Sequence, residues 1–227
     1  MVLVKRVLCF LSLMAIAQSG SASLVIDPFS TALPAAISPV PSPTQVLANA
    51  DRFLTRTGGG STTSGNNTLV IPAGASREVS FFYDLRAPVD LTAAGQNYLQ
   101  FAYSAVTGAG AGSYTATFKV LNAFTPGASV LSQAVVSGLS LAATNADVWV
   151  ASASFTNVGA LASARYLQVS INRNNNANGG TFSFSSALQA TATPEPASLI
   201  LAGLTGISAF VAYRRRSNRS AAVGTGS

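Results

Sequence analysis

The sequence contains no histidine and a single cysteine, and only 9% of its residues carry a charge. Each shortage removes a class of function. Cys9 lies inside an N-terminal apolar run, so a chain trimmed of that run has no thiol. A disulfide framework needs at least two cysteines, and zinc, copper and haem sites lose their usual histidine and cysteine ligands. Nucleophilic catalysis by a Ser-His or Cys-His arrangement is likewise excluded. No metal or cofactor is expected. The nearest approach to a metal site is calcium at a sheet edge through Asp27 or Asp147, because the Asn-rich run 172–178 holds no carboxylate and reads as a hairpin turn.

A formal net charge of +6 suggests a phosphate-binding surface until the charges are placed. Lys5 and Arg6 stand at one end of the chain, and Arg214, Arg215, Arg216 and Arg219 at the other. Between them seven basic residues (Arg52, Arg56, Arg77, Arg86, Lys119, Arg165 and Arg173) face six acidic ones (Asp27, Asp51, Glu78, Asp84, Asp90 and Asp147). The central part is close to neutral and lacks the footprint of a nucleic-acid binder.

What is present begins with an address. Lys5-Arg6 precedes the apolar run Val7 to Ala17, and Gly20-Ser21-Ala22-Ser23 follows. A positive start, a short apolar core and small residues at the exit make residues 1–23 a secretory signal peptide, with cleavage expected by signal peptidase after Ala22 or Ser23.

At the other end, residues 191–227 form a second address. Pro194-Glu195-Pro196 is followed by the uncharged run Ala197 to Tyr213, and Arg214-Arg215-Arg216 stops it. As a helix, 197–213 would reach about 25 Å, enough to cross a thin bilayer. The arginines keep its far end cytoplasmic, which places the preceding domain outside. A Pro-Glu-Pro triplet, an apolar helix and an arginine cluster at 214–219, in this order near the C-terminus, resemble the PEP-CTERM sorting signal. The resemblance covers about the last 35 residues. It implies a Gram-negative bacterium that makes exopolysaccharide, an exosortase-like processing enzyme that reads Pro194, Glu195 and Pro196, and a final location at the cell surface or outside the cell. The membrane is then a partner only until the tail is processed.

Between the addresses the sequence alternates with period two, the signature of half-buried strands. Tyr114, Ala116, Phe118 and Val120 alternate with Thr115, Thr117 and Lys119. Val79, Phe81, Tyr83 and Leu85 share one face, as do Leu99, Phe101, Tyr103 and Ala105, and Leu167, Val169 and Ile171. Further strands are expected over 45–55, 68–71, 129–137, 147–155 and 181–188. Turn formers separate them, as at Gly58-Gly59-Gly60, Gly65-Asn66-Asn67 and Pro126-Gly127. Eight or nine such strands predict an all-β, antiparallel sandwich or jelly roll over residues 45–190. Five prolines within 27–43 predict a Pro-rich lead over 24–44, extended or lying on a strand. Residues 57–67 read as a polar loop.

Three aromatics, Phe82, Tyr98 and Tyr166, fall in the polar register of their strands. On a shared sheet they would form an outer platform among amide and hydroxyl side chains, suited to sugar rings; a covering loop would hide them. Trp149 alternates with Ala151, Ala153 and Phe155 and is expected in the core. Glu78 and Asp84 point to the same face but lie about 20 Å apart along one strand, too far for the carboxylate pair of a glycosidase. The resulting expectation is a non-enzymatic exported surface or matrix protein that interacts with exopolysaccharide or envelope components. A self-associating adhesive module is the alternative, and a glycan-active enzyme stands well behind.

Overall fold

A computed structural model of the chain describes residues 23–74, 77–107, 112–174 and 179–192. Residues 1–22 of the expected signal peptide, the Pro-Glu-Pro triplet, the apolar run and the arginine cluster lie outside the described residues. Among those described, no helix is long and apolar enough to cross a membrane.

The order of elements is β1 (Leu24–Asp27), β2 (Gln45–Val46), β3 (Asp51–Thr57), β4 (Thr62–Ser64), β5 (Thr68–Ile71), β6 (Arg77–Val89), β7 (Tyr98–Thr107), β8 (Ser113–Leu121), β9 (Val130–Leu139), β10 (Ala143–Ala151), β11 (Ala164–Asn174), β12 (Gly180–Phe184) and β13 (Leu188–Thr191). Two short 3-10 helices, Ser152–Ser154 and Val158–Ser163, precede β11. The strands make two antiparallel sheets. One runs β2-β3-β6-β11-β8-β9. In the other, β7 pairs with β10 along one side and with β12 and β13 along the other. Beyond these, β5 and β4 continue from β12, and β1 from β13. The expected all-β sandwich is the observed fold.

The alternating residues supply the core. Phe81, Tyr83, Phe118, Val169 and Ile171 of the six-stranded sheet meet Leu99, Phe101, Phe182 and Phe184 of the other, all buried. Rings at 5.3–6.3 Å in edge and tilted contacts join Phe101 to Phe118, Phe182 and Phe184. This is the geometry that aromatic quadrupoles favour.

The Pro-rich lead is part of this packing. Leu24–Asp27 pairs with β13, and Phe29, Leu33 and Ile37 bury their side chains in the core. Phe29 stacks on Phe184 at 4.1 Å. It adopts φ 52°, a left-handed conformation steadied where the Asp27 carboxylate accepts the Phe29 N–H at 2.8 Å. Fully burying Phe29, Leu33 and Ile37 contributes roughly 1.5–3 kcal/mol each, and together they exceed the strain of about 1–3 kcal/mol at a single left-handed residue.

Several sequence expectations are corrected. Residues 57–67 are not simply a loop: β4 pairs with β5 across a turn at Gly65 (φ 66°), a backbone position that glycine adopts without a Cβ clash. Residues 45–55 are broken between β2 and β3, where the Leu47 N–H donates to the Ala50 carbonyl in a turn. The expected hairpin turn over 172–178 does not join paired strands, because β11 and β12 belong to different sheets; residues 175–178 lie outside the described residues. Trp149 does not join the core: Val148 and Val150 point inward instead, and Trp149 stands on the outer face opposite Gln100.

Asp27 is no edge calcium ligand. It is fully buried and forms a 2.6 Å ion pair with Arg52, itself fully buried. The same Asp27 oxygen accepts the Tyr83 hydroxyl at 3.0 Å. The remaining guanidinium donors of Arg52 reach Gln45 Oε1 at 2.7 and 3.0 Å and the Thr31 carbonyl at 3.2 Å. Burial, reinforced by the negative charge of Asp27, holds the Tyr83 phenol well above its ordinary pKa. One satisfied polar network therefore ties β1, the lead, β2, β3 and β6 together.

Candidate functional site

The three aromatics expected to form one platform are divided between two sheets. Phe82 and Tyr166 lie on the outer face of the six-stranded sheet, where β6 and β11 are neighbours. Tyr98 opens β7, in the other sheet. Sheet membership, which alternation within one strand does not encode, separates them.

Even the pair that shares a sheet is largely covered. Phe82 stacks on Phe53 at 4.7 Å, and Phe124 from the β8–β9 connection packs on Phe53 at 4.7 Å. Phe53, Phe82 and Leu121 are buried in this small outer cluster, against Phe124, Ala128 and Tyr166. Only its rim is accessible: Arg165 lies 5.0 Å over the Tyr166 ring and donates to Asp84 at 3.0 and 3.2 Å. That hydrogen bond holds the Asp84 carboxyl below its usual pKa. The hairpin that covers Phe82 and Phe53 makes this cluster a second, satellite core.

The open aromatic pair is elsewhere. Tyr98 and Trp149 meet edge to face, with centroids 6.3 Å apart and planes at 73°, on the outer face of the seven-stranded sheet. Both are partly buried. Register explains the contact: Trp149 faces Gln100 and Ala151 faces Tyr98, so the two rings are diagonal cross-strand neighbours. Gln189, across β7 from Gln100, donates its amide to the Gln100 side chain at 3.3 Å. Asp147, exposed on β10, shares the parity of Trp149. Farther along the same face, Ser104 bonds Ser185 at 3.2 Å and Thr68 bonds Ser183 at 2.9 Å. The result is a surface of amides and hydroxyls with two rings at one end.

Trp149 is the member that alternation placed wrongly. In Val148-Trp149-Val150-Ala151 both parities are apolar, so the pattern carries no direction; the charge of Asp147, which marks the outward parity, is the signal that identifies it.

The carboxylates are dispersed. Asp27 pairs with Arg52, Asp51 with Arg86 at 2.8 Å, and Asp84 with Arg165. Glu78 accepts a hydrogen bond from Ser80 on the outer face at 2.9 Å. Among the described residues, no group of three potential metal ligands converges.

The sequence model of the PEP-CTERM protein-sorting motif matches residues 192–216. The chain carries a PEP-CTERM sorting motif. The match spans the Pro-Glu-Pro triplet, the apolar run and Arg214 to Arg216, the three parts that sequence reading had set in order. The motif implies export, sorting by an exosortase, and a location at the cell surface or outside the cell. No curated protein and no solved structure matches the chain. The function of the sandwich has to be argued from its own surface.

Proposed function

We propose that the sandwich of this PEP-CTERM protein is a non-enzymatic binding module for exopolysaccharide or another envelope glycan, and that it uses the outer face of the seven-stranded sheet. The observation that carries this reading is the perpendicular Tyr98–Trp149 pair beside the Gln100–Gln189 amides. Aromatic rings offer apolar faces to the C–H faces of sugars, while amides and a carboxylate meet ring hydroxyls. A row of polar groups along a sheet face suits an extended polymer, which repeats the same weak contact along its length. The lack of histidine and cysteine in the central region and the ion-paired carboxylates favour binding over catalysis.

The test is retention of the exported protein on polysaccharide prepared from its own cells. A central aromatic anchor is worth about 2 kcal/mol or more, so Trp149→Ala is expected to weaken retention roughly 30-fold. Tyr98→Ala should act in the same direction, and Phe82→Ala, which empties the covered cluster, should lower stability without a specific loss of binding. Equal retention of wild type and Trp149→Ala at matched folding would rule this face out.

A second reading, self-association, has its own observation. β9 is the edge of the six-stranded sheet, and its run Val130 to Ser140 has no charge and no proline, with Val130, Leu131 and Val135 exposed. Thr156 and Asn157 cap its first half through Gln133, Ser132 and Leu131. The half from Val135 onward has the character of an edge open to strand addition. On this reading sedimentation shows concentration-dependent association that Val135→Lys abolishes; a protein monomeric at all concentrations would remove it.

A further inference from the structure

Three arginines share the inward parity at one end of the six-stranded sheet and find no carboxylate there. Arg56 on β3 has the parity of buried Leu54, Arg77 on β6 that of Val79, and Arg173 on β11 that of Ile171. Arg77 and Arg173 are direct cross-strand partners, an arrangement in which like charges repel. Among the described residues Arg56 donates to the carbonyls of Ile37 and Gly58.

Arg173 is 1% exposed, and none of its three guanidinium nitrogens has a hydrogen-bond partner. Its guanidinium carbon lies 5.7 Å from the ring centroid of Tyr114, its cross-strand partner on β8, and the buried Tyr114 hydroxyl, whose pKa burial raises and the nearby Arg173 partly lowers, makes no well-formed hydrogen bond. Arg77 Nε is unpartnered too, and Nη2 reaches only the Ala73 carbonyl at 3.3 Å. The Arg77 head packs directly against Gly59 and Gly74, where a Cβ would collide with its guanidinium nitrogens, so these two glycines let it lie against the backbone.

The chain offers no internal neutraliser among the described residues. Asp27, Asp51 and Asp84 are paired with other arginines. Glu78 is turned outward to Ser80, Asp90 accepts from Thr92, and Asp147 is exposed on the other sheet. An arginine cannot relieve its burial by losing its proton, as a lysine can. An unpaired buried charge is among the least favourable features of a fold, and none of the described carboxylates supplies its counter-charge.

We propose that Arg173, Arg77 and the Tyr114 hydroxyl form a binding site for an oxyanion, the carboxylate of an acidic sugar or a free phosphate or sulfate. A guanidinium presents its donors in a planar fork that matches such oxygens two at a time. The phenol hydroxyl adds a neutral donor, and Arg77 supplies the second positive charge. The site lies at the opposite end of the strands from Tyr98, so it stands independently of the aromatic face and does not rest on it.

The experiment is thermal unfolding of the exported protein at constant ionic strength, with chloride replaced stepwise by phosphate, sulfate or glucuronate. A ligand that binds only the folded state raises Tm in proportion to the logarithm of its concentration above Kd. The expected result is a rise of several degrees in wild type that is reduced at least tenfold in apparent affinity by Arg173→Met and by Arg77→Met. Arg173→Met removes an unpaired buried charge, so it should fold at least as well as wild type in chloride, and Tyr114→Phe keeps the ring while deleting the hydroxyl. A response to glucuronate alone assigns an acidic sugar, and one to phosphate or sulfate alone assigns the inorganic ion. The same Tm in every salt, or a rise of equal size in wild type and both arginine variants, overturns the site.

Discussion

Asp27→Ala is expected to destabilise the sandwich by about 3–5 kcal/mol, because it leaves the Arg52 guanidinium buried without its counter-charge. Both partners are fully buried, so water cannot take the place of the lost carboxylate. The same substitution removes the acceptor of the Tyr83 hydroxyl and of the Phe29 N–H. For a domain of this size each kcal/mol lowers Tm by roughly 2–4 °C, so the midpoint should fall by about 6–20 °C. Arg52→Ala should act in the same direction by exposing the mirror defect, a buried carboxylate. The double variant Asp27→Leu/Arg52→Met is expected to recover most of the loss, since an apolar pair of similar size removes both charges together. Denaturant midpoints of the three variants and wild type provide the check. An unchanged midpoint for Asp27→Ala would show that the lead is held by Phe29, Leu33 and Ile37 alone.

The second large effect is all-or-none. Intact mass of the exported protein should show a species without Arg214 to Arg219 and beginning after Ala22 or Ser23. Replacing Pro194, Glu195 and Pro196 together with alanine should leave the basic tail in place and the protein in the membrane fraction. The physical ground lies in the prolines. They bar the triplet from continuing the helix expected over 197–213, which keeps an extended stretch of backbone at the membrane surface where an enzyme can reach it. The arginines prevent that helix from passing through. An exported wild-type protein that retains Arg219 would show that the tail serves as a plain anchor.

How far the fold was legible depended on whether polarity alternated. Around Phe118 every second residue is Thr or Lys, and around Phe81 and Tyr83 the alternate residues include Glu78, Ser80 and Asp84, so each strand announced its inner face. Strands β8, β6, β7 and β11 stand where alternation put them. Trp149 failed for the opposite reason, being flanked by valines, and only its pairing with β7 turned it outward. β4 escaped notice because Thr62-Thr63-Ser64 buries little and depends on β5 for its hydrogen bonds. The lead was legible as extended, yet nothing in its prolines announced that Phe29, Leu33 and Ile37 reach the core.

Charges show the same division. Near-neutrality of the central region was countable from composition, and it argued against a nucleic-acid surface. That Asp27 cancels Arg52 inside the protein, while Arg173 is cancelled by nothing among the described residues, depends on which strands are neighbours.

The sequence by itself determined the sorting signal and the class of fold. Both rest on local properties: a run of apolar residues between charges, a proline pair, and a backbone pleat that sends successive side chains to opposite faces. Only the tertiary structure decided which aromatics stand together and which charges meet. Sheet membership is set by pairings between residues tens of positions apart in the chain, and a period of two is the same whichever sheet a strand joins. Tyr98 therefore found Trp149 instead of Phe82 and Tyr166, and the candidate binding face moved from one side of the sandwich to the other.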